Sequence, residues 1–174
     1  TEGSSLYKGC SYMPPIGNIT QGENTKIYNP ELSNIRDGVE IGDNCVLHSH
    51  IWIGENVKIG NNVRIQAFSF IPEGVIIEDD VFIGPRVTFT NDKYPPSSKE
   101  EWKPTIVKRG ASIGASVTIL PGVTIGENTM VGAGALVTKS LLPMLSLAVS
   151  LLRFEQGNQV NKRFSMYKHA ISKR

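Results

Sequence analysis

The sequence predicts an all-β solenoid, and two observations carry that prediction. Aliphatic residues recur six apart: Ile35, Ile41, Leu47, Ile53, Ile59, Ile65, Ile71, Ile77, Ile83 and Phe89, then Val107, Ile113, Ile119, Ile125, Val131 and Val137. A second series runs four positions after each rung, from Val39, Cys45 and Ile51 through Val87, and resumes with Ala111, Val117, Val123, Thr129 and Ala135. A period of six matches neither the 3.6 of a helix nor the unbroken alternation of a long strand. It is the period of a short strand followed by a turn.

The turns have their own chemistry. Ile41-Gly42-Asp43-Asn44, Ile53-Gly54-Glu55-Asn56, Ile59-Gly60-Asn61-Asn62 and Ile125-Gly126-Glu127-Asn128 repeat one phrase. Gly, Asn and Asp accept the positive φ of a tight turn, which β-branched residues resist. The chain therefore bends at every hexad, and both aliphatic positions point inward. One coil of three hexads buries too few side chains to offset the ordering of its backbone, so coils have to stack and share a core.

Composition sets further bounds. The chain has 174 residues, enough for one domain, and 40% are apolar. Eighteen basic against 16 acidic residues give a formal charge of +2 and no reason to expect nucleic acid as a partner. Six of the basic residues and one acid lie from Arg153 onward, so the tail is the basic part. Two cysteines, Cys10 and Cys45, make no disulfide framework and point to a reducing, cytoplasmic setting. The apolar stretch from Leu141 to Leu152 is too short to span a bilayer, and the start carries no signal peptide, so no membrane span is expected.

Taken in order, residues 1–34 hold turn formers around isolated apolar residues and read as a lead-in and cap, because the step from Ile27 to Ile35 is eight and breaks the phase. Residues 35–140 carry the repeat. Between Phe89 and Val107 the ladder stops, and residues 90–106 read as an exposed loop that replaces one coil and preserves the register. A loop on a rigid scaffold is a favoured place for function. Residues 141–174 form an atypical tail, either irregular or an apolar helix.

This pattern resembles the hexapeptide-repeat acyltransferases over residues 35–140. The resemblance implies a left-handed parallel β-helix and a homotrimer with active sites between subunits. The run from Asp79 to Pro95, including Thr90-Asn91-Asp92, looks like the segment found in bacterial N-acetyltransferases acting on nucleotide-linked 3-amino sugars that build surface polysaccharide, including lipopolysaccharide. Where sugar O-acetyltransferases of that superfamily carry a His as general base, this chain carries Asp92. An amine is already a nucleophile and needs less help than an alcohol. The resemblance thus implies acetyl transfer from acetyl-CoA to an amino sugar, with Asn91 and Asp92 orienting the acceptor. It also implies that Ala115 and Ala133 contact the pantetheine arm through their backbone, and that Thr138 and Lys139 meet the phosphates of the coenzyme.

Other readings stay open. O-acetylation of a sugar or small alcohol would need a base, for which His50 is the candidate, and a structural subunit without catalysis would use the same coil. His48 and His50 flank Ser49 and would share a face if extended, but a third histidine within the ladder is missing, so no metal is expected. Two departures from the family stand out. Pro96 occupies a place where relatives often carry Arg. After Lys139 the usual Asn-Pro-Ala turn with its cation is absent, which predicts weakened acetyl-CoA affinity unless Arg153 substitutes.

Overall fold

A computed structural model describes residues 14–147. The rungs form strands of two residues, three at Val75–Ile77 and Thr105–Val107, with no α-helix among the described residues. They stack into three parallel sheets of six, seven and six strands, which wrap a left-handed β-helix of about seven turns. The first face runs Thr20–Gln21, Glu40–Ile41, Lys58–Ile59, Val75–Ile77, Thr105–Val107 and Thr124–Ile125. The second runs Lys26–Ile27, Val46–Leu47, Arg64–Ile65, Phe82–Ile83, Ser112–Ile113, Met130–Val131 and Ser146–Leu147. The third runs Asn34–Ile35, Trp52–Ile53, Phe70–Ile71, Thr88–Phe89, Thr118–Ile119 and Leu136–Val137.

Both aliphatic series point inward, and every rung from Ile35 to Val137 is at most 4% exposed. The polar members of the second series remain inside because their hydroxyls find backbone acceptors. Ser69 Oγ donates to Gly84 O at 3.1 Å, and Thr129 Oγ to Leu142 O at 2.9 Å. Cys45 is fully buried and donates to Gly60 O at 3.1 Å, and burial pushes its thiol up, away from reactive thiolate.

The two halves of the turn phrase do different jobs. Positive φ falls on the last residue, at Asn44, Asn56, Asn62 and Asn128. The glycine after the rung has no such requirement. At Gly60 an added Cβ would sit 2.7 Å from the backbone nitrogen of Asp79 in the next coil, so that glycine serves close approach.

Pairing joins residues eighteen apart, as in Asn34 with Trp52 and Val46 with Arg64. The two exceptions near the ends of that rule correct the boundaries read from the sequence. Thr20–Gln21 and Lys26–Ile27 already belong to the first two faces, pairing with Glu40–Ile41 and Val46–Leu47. The two residues that break the phase are taken up by a short 3-10 turn at Pro30–Leu32. At the other end, Leu141 bridges to Ile125 and Ser146–Leu147 pairs with Met130–Val131, so residues 141–147 continue the coil. Residues 148–174, where an apolar helix is an alternative, lie outside the described residues, as does Cys10.

The loop also differs from expectation. Ile77 pairs with Val107 and Phe82 with Ser112, thirty positions apart, so no coil is replaced. Instead twelve extra residues bulge from one corner, between Thr88–Phe89 on the third face and Thr105–Val107 on the first. Twelve is two hexads, so the inward positions resume in phase.

Candidate functional site

The loop leaves the third face at Thr90, whose N–H and Oγ both donate to Ile119 O at 3.0 Å. It returns at Thr105, whose N–H donates to Gly74 O at 3.2 Å, and Lys103 N–H reaches Asn91 O at 3.4 Å across the neck. Inside it, Asp92 is the hub. Oδ1 accepts from Tyr94 N–H at 3.0 Å and from Ser97 Oγ at 2.8 Å, and Oδ2 accepts from Ser97 N–H at 2.8 Å. Desolvation pushes this carboxyl up, but the Ser97 and Tyr94 donors together outweigh it and hold Asp92 below the usual carboxylate range. A carboxylate so held is a weak base, and its lone pairs are spent on the loop.

Beyond Asp92 the loop folds back toward the earlier coils. Lys99 Nζ lies 3.0 Å from Glu73 Oε2 and 5.5 Å from the centre of the Trp102 ring. Under this arch is a cleft of about 300 Å³ that Asn91, Trp102, Glu55, Glu73, Trp52 and Phe70 help to line. Trp52 and Phe70 are equivalent outward positions of adjacent strands and stack with centroids 4.7 Å apart and planes at 16°. The sequence reading singled out Asn91 and Asp92 but missed Trp52, Glu55, Phe70, Glu73 and Trp102. The available signal was the eighteen-residue spacing of Trp52 and Phe70, which has meaning only once the coil length is known.

His50 lies at the opposite edge of the same face, in the corner before Trp52. It lines a wider hollow of about 590 Å³ on the side of Trp52 away from the loop, together with Ser33 and Asn34. Its Nδ1 is 3.1 Å from Ser49 Oγ, and its ring stacks on Phe68 at 4.8 Å. His48 stacks instead on Tyr28 at 5.4 Å. The pair does not share an extended face, because His50 adopts φ 59 and turns the corner. His169 lies outside the described residues, and among the described residues no group of three or more His, Cys, Asp or Glu could hold a metal ion.

Ala115 and Ala133 come together in that same corner, on successive coils above His50. Gly134 N–H donates to Ala115 O at 2.8 Å. The glycine column beside them sets the close stacking, since a Cβ on Gly84 would lie 2.8 Å from Ala115 N, and one on Gly114 2.5 Å from Ala133 N. Around the two alanines the corner presents backbone and methyl groups, while Phe68 and Arg86 project from the coils between them and His50. His50 is three strand spacings below Ala115, roughly 14 Å. Thr138 and Lys139 are exposed at the other edge of the face, in the corner from which the loop springs, so the structure separates them from the two alanines by the width of a strand and its turn.

Comparison with known proteins fits this geometry. The model for bacterial transferase hexapeptide, six repeats, matches residues 32–66, 56–91 and 104–139, stopping and resuming on either side of the loop. Galactoside O-acetyltransferase of Lactococcus lactis is 31% identical over 117 residues, 59% of this chain and 55% of that protein. The bifunctional protein GlmU of Carboxydothermus hydrogenoformans is 30% identical over 173 residues, 92% of this chain and 37% of that protein. The chain thus spans about half or less of these relatives' length. Among solved structures, a variant of AntD, an N-acyltransferase from Bacillus cereus in complex with dTDP and coenzyme A, superposes with a TM-score of 0.60 at 22% identity, covering 88% of this chain and 90% of that one. PerB from Caulobacter crescentus, in complex with CoA and GDP-perosamine, gives 0.56 at 18% identity, with coverages of 73% and 54%. At those identities the superpositions speak for the fold. The repeat match covers more than half the sequence and coincides with the stacked coils, and the chain belongs to the bacterial transferase hexapeptide family.

Proposed function

We propose that this chain transfers an acetyl group from acetyl-CoA to the amino group of a nucleotide-linked amino sugar. The observation that carries this reading is the loop at residues 90–104. It holds no histidine, the carboxylate of Asp92 is committed to the loop's own fold, and Asn91 still lines the cleft. A site so equipped suits an acceptor that arrives as a nucleophile. The amine attacks the thioester carbonyl, the sulfur leaves as coenzyme A thiol, and the amine gives up a proton. The complexes of AntD and PerB, which carry coenzyme A with dTDP or GDP-perosamine, support the same ligand classes on a similar scaffold.

Ala115 and Ala133 guide the pantetheine arm by backbone contact, and Thr138 and Lys139 take the coenzyme phosphates in this reading. Because those two pairs lie at opposite edges of one face, a single coenzyme bridges them only across an edge shared with a second copy. That favours a homotrimer with composite sites. Exposed Phe82, Met130 and Leu136, 38%, 48% and 59% accessible, are the apolar surface such contacts would cover. The enzyme would work in the cytoplasm on surface-polysaccharide precursors, including those of lipopolysaccharide, and without metal. Among the described residues no helix is long and apolar enough to cross a membrane.

O-acetylation is the second reading, favoured by the galactoside O-acetyltransferase match and by the exposed ring of His50, which would be its base. Thiol release from acetyl-CoA, measured across UDP- and dTDP-linked amino sugars and their hydroxyl counterparts, separates the two. Release with amines only is expected. Release with hydroxyl acceptors that disappears in His50→Ala would replace the proposal with the second reading, and no release with any acceptor would leave a structural role.

A further inference from the structure

Both tryptophans of this chain, Trp52 and Trp102, line the same 300 Å³ cleft beneath the loop, one from the coil and one from the arch. The indole Nε1 of Trp102 is buried and has no hydrogen-bond partner among the described residues. A buried indole N–H ordinarily finds an acceptor, so an orphan beside a cleft points to an acceptor that arrives with a ligand. Two carboxylates and two cations share the cleft: Glu73 is engaged by Lys99, and Glu55 and Arg36 complete the charged lining.

The chemistry of the lining narrows the occupant. Carboxylates at Glu55 and Glu73, balanced by the cations of Arg36 and Lys99 in the same lining, accept hydrogen bonds from hydroxyl or amino groups. A planar base would seek free aromatic faces, yet Trp52 and Phe70 each give one face to the other. The volume lies at the lower limit for small-molecule pockets and suits one ring, not a whole nucleotide sugar.

We infer that this cleft is the subsite for the hexose ring of the acceptor, with Trp102 Nε1–H donating to a sugar oxygen and Glu55 accepting from a hydroxyl or an amino N–H. Trp102 and Glu55 thereby determine which ring is accepted, while the nucleotide extends out of the cleft. The assignment rests on the amino-sugar reading above, and its test is chosen to fail separately from it.

The test titrates the full chain with UDP- and dTDP-linked amino hexoses, the same nucleotide hexoses bearing hydroxyl in place of the amine, the nucleotides alone, and acetyl-CoA. It follows intrinsic tryptophan emission and binding heat. Hexose-bearing probes are expected to change the emission saturably, and nucleotides alone and acetyl-CoA to leave it unchanged. Trp102→Phe keeps Trp52 as reporter and weakens hexose binding about three- to tenfold, the loss of one hydrogen bond. Glu55→Gln, which keeps the Lys99–Glu73 hydrogen bond, weakens the amino probes more than the hydroxyl probes. Equal emission changes with nucleotides alone, or unchanged affinity in both variants, would overturn the subsite. Hexose binding without thiol release defeats the transfer reading and leaves the subsite standing, whereas thiol release with an unaltered acceptor KM in both variants does the reverse.

Discussion

Lys99 and Glu73 meet at 3.0 Å although 26 residues separate them, and their contact joins the tip of the loop to the coil beneath it. The hydrogen bond to Glu73 raises the Lys99 pKa above its ordinary value, so on the alkaline side the latch persists until pH rises through that raised value. Both partners are substantially exposed, and such a pair adds little to global stability. Its effect is local. Lys99→Ala is expected to leave the thermal midpoint nearly unchanged, to speed amide exchange over residues 92–103, and to raise the acceptor KM several-fold while the KM for acetyl-CoA holds. A KM for the acceptor that does not move would count against the latch.

Asp92 organises the loop from within. Asp92→Ala removes the acceptor of three hydrogen bonds, so the amides of Tyr94 and Ser97 are expected to lose exchange protection and acetyl transfer to drop by an order of magnitude or more. The carboxylate is held below its usual range, so this support is full above the ordinary carboxylate pKa of about 4 and lost as pH falls through the depressed value. Wild-type protection of these two amides that already fades near neutral pH would contradict the assignment.

Glu78 and Lys108 follow paired rungs Ile77 and Val107 and lie 2.6 Å apart, and Arg109 N–H also donates to Glu78 at 3.0 Å. They fasten the first coil completed after the insertion. The Lys108 hydrogen bond, more than the opposing desolvation, holds the Glu78 carboxyl below its normal range. The contribution is therefore present above about pH 4.3 and lost as pH falls through the folded-state value. Glu78→Gln is predicted to cost less than about 1 kcal/mol at pH 7 and to flatten the acid limb of a stability-against-pH curve. An acid limb identical to that of the wild type would refute this.

His50, Phe68 and Arg86 occupy one corner column with φ of 59, 64 and 59, a conformation that elsewhere in this coil falls mostly to Asn and Gly. A bulky side chain there is uncommon and carries strain on the order of 1 kcal/mol or more. Arg86→Asn should raise stability by about 0.5 to 1 kcal/mol in chemical denaturation. Unchanged or lowered stability would mean that Arg86 is held by contacts worth more than the strain.

The six-residue ladder fixed the fold before any coordinates, because hydrophobic period and turn chemistry are local properties and every inward rung was legible as such. The failure of that period located the loop, and Asn91 within it was singled out by the resemblance of its run to amino-sugar N-acetyltransferases. The partners of Asn91 were not legible. Trp52, Glu55, Phe70 and Glu73 sit on outward positions of three-sided coils, and whether two outward residues meet depends on coil length and on the path of the loop, neither of which the pattern of inward residues encodes.

The sequence by itself determined the scaffold, its inward face and the location of the interruption. Only the tertiary structure decided that the interruption adds to a coil without replacing one, that the turn glycines answer to neighbouring backbone while the asparagines answer to φ, and that both tryptophans close on one cleft. The physical reason is common to all three. Stacking brings residues eighteen or thirty positions apart within one strand spacing, and contact at that range is set by the assembled coils, not by any short stretch of chain.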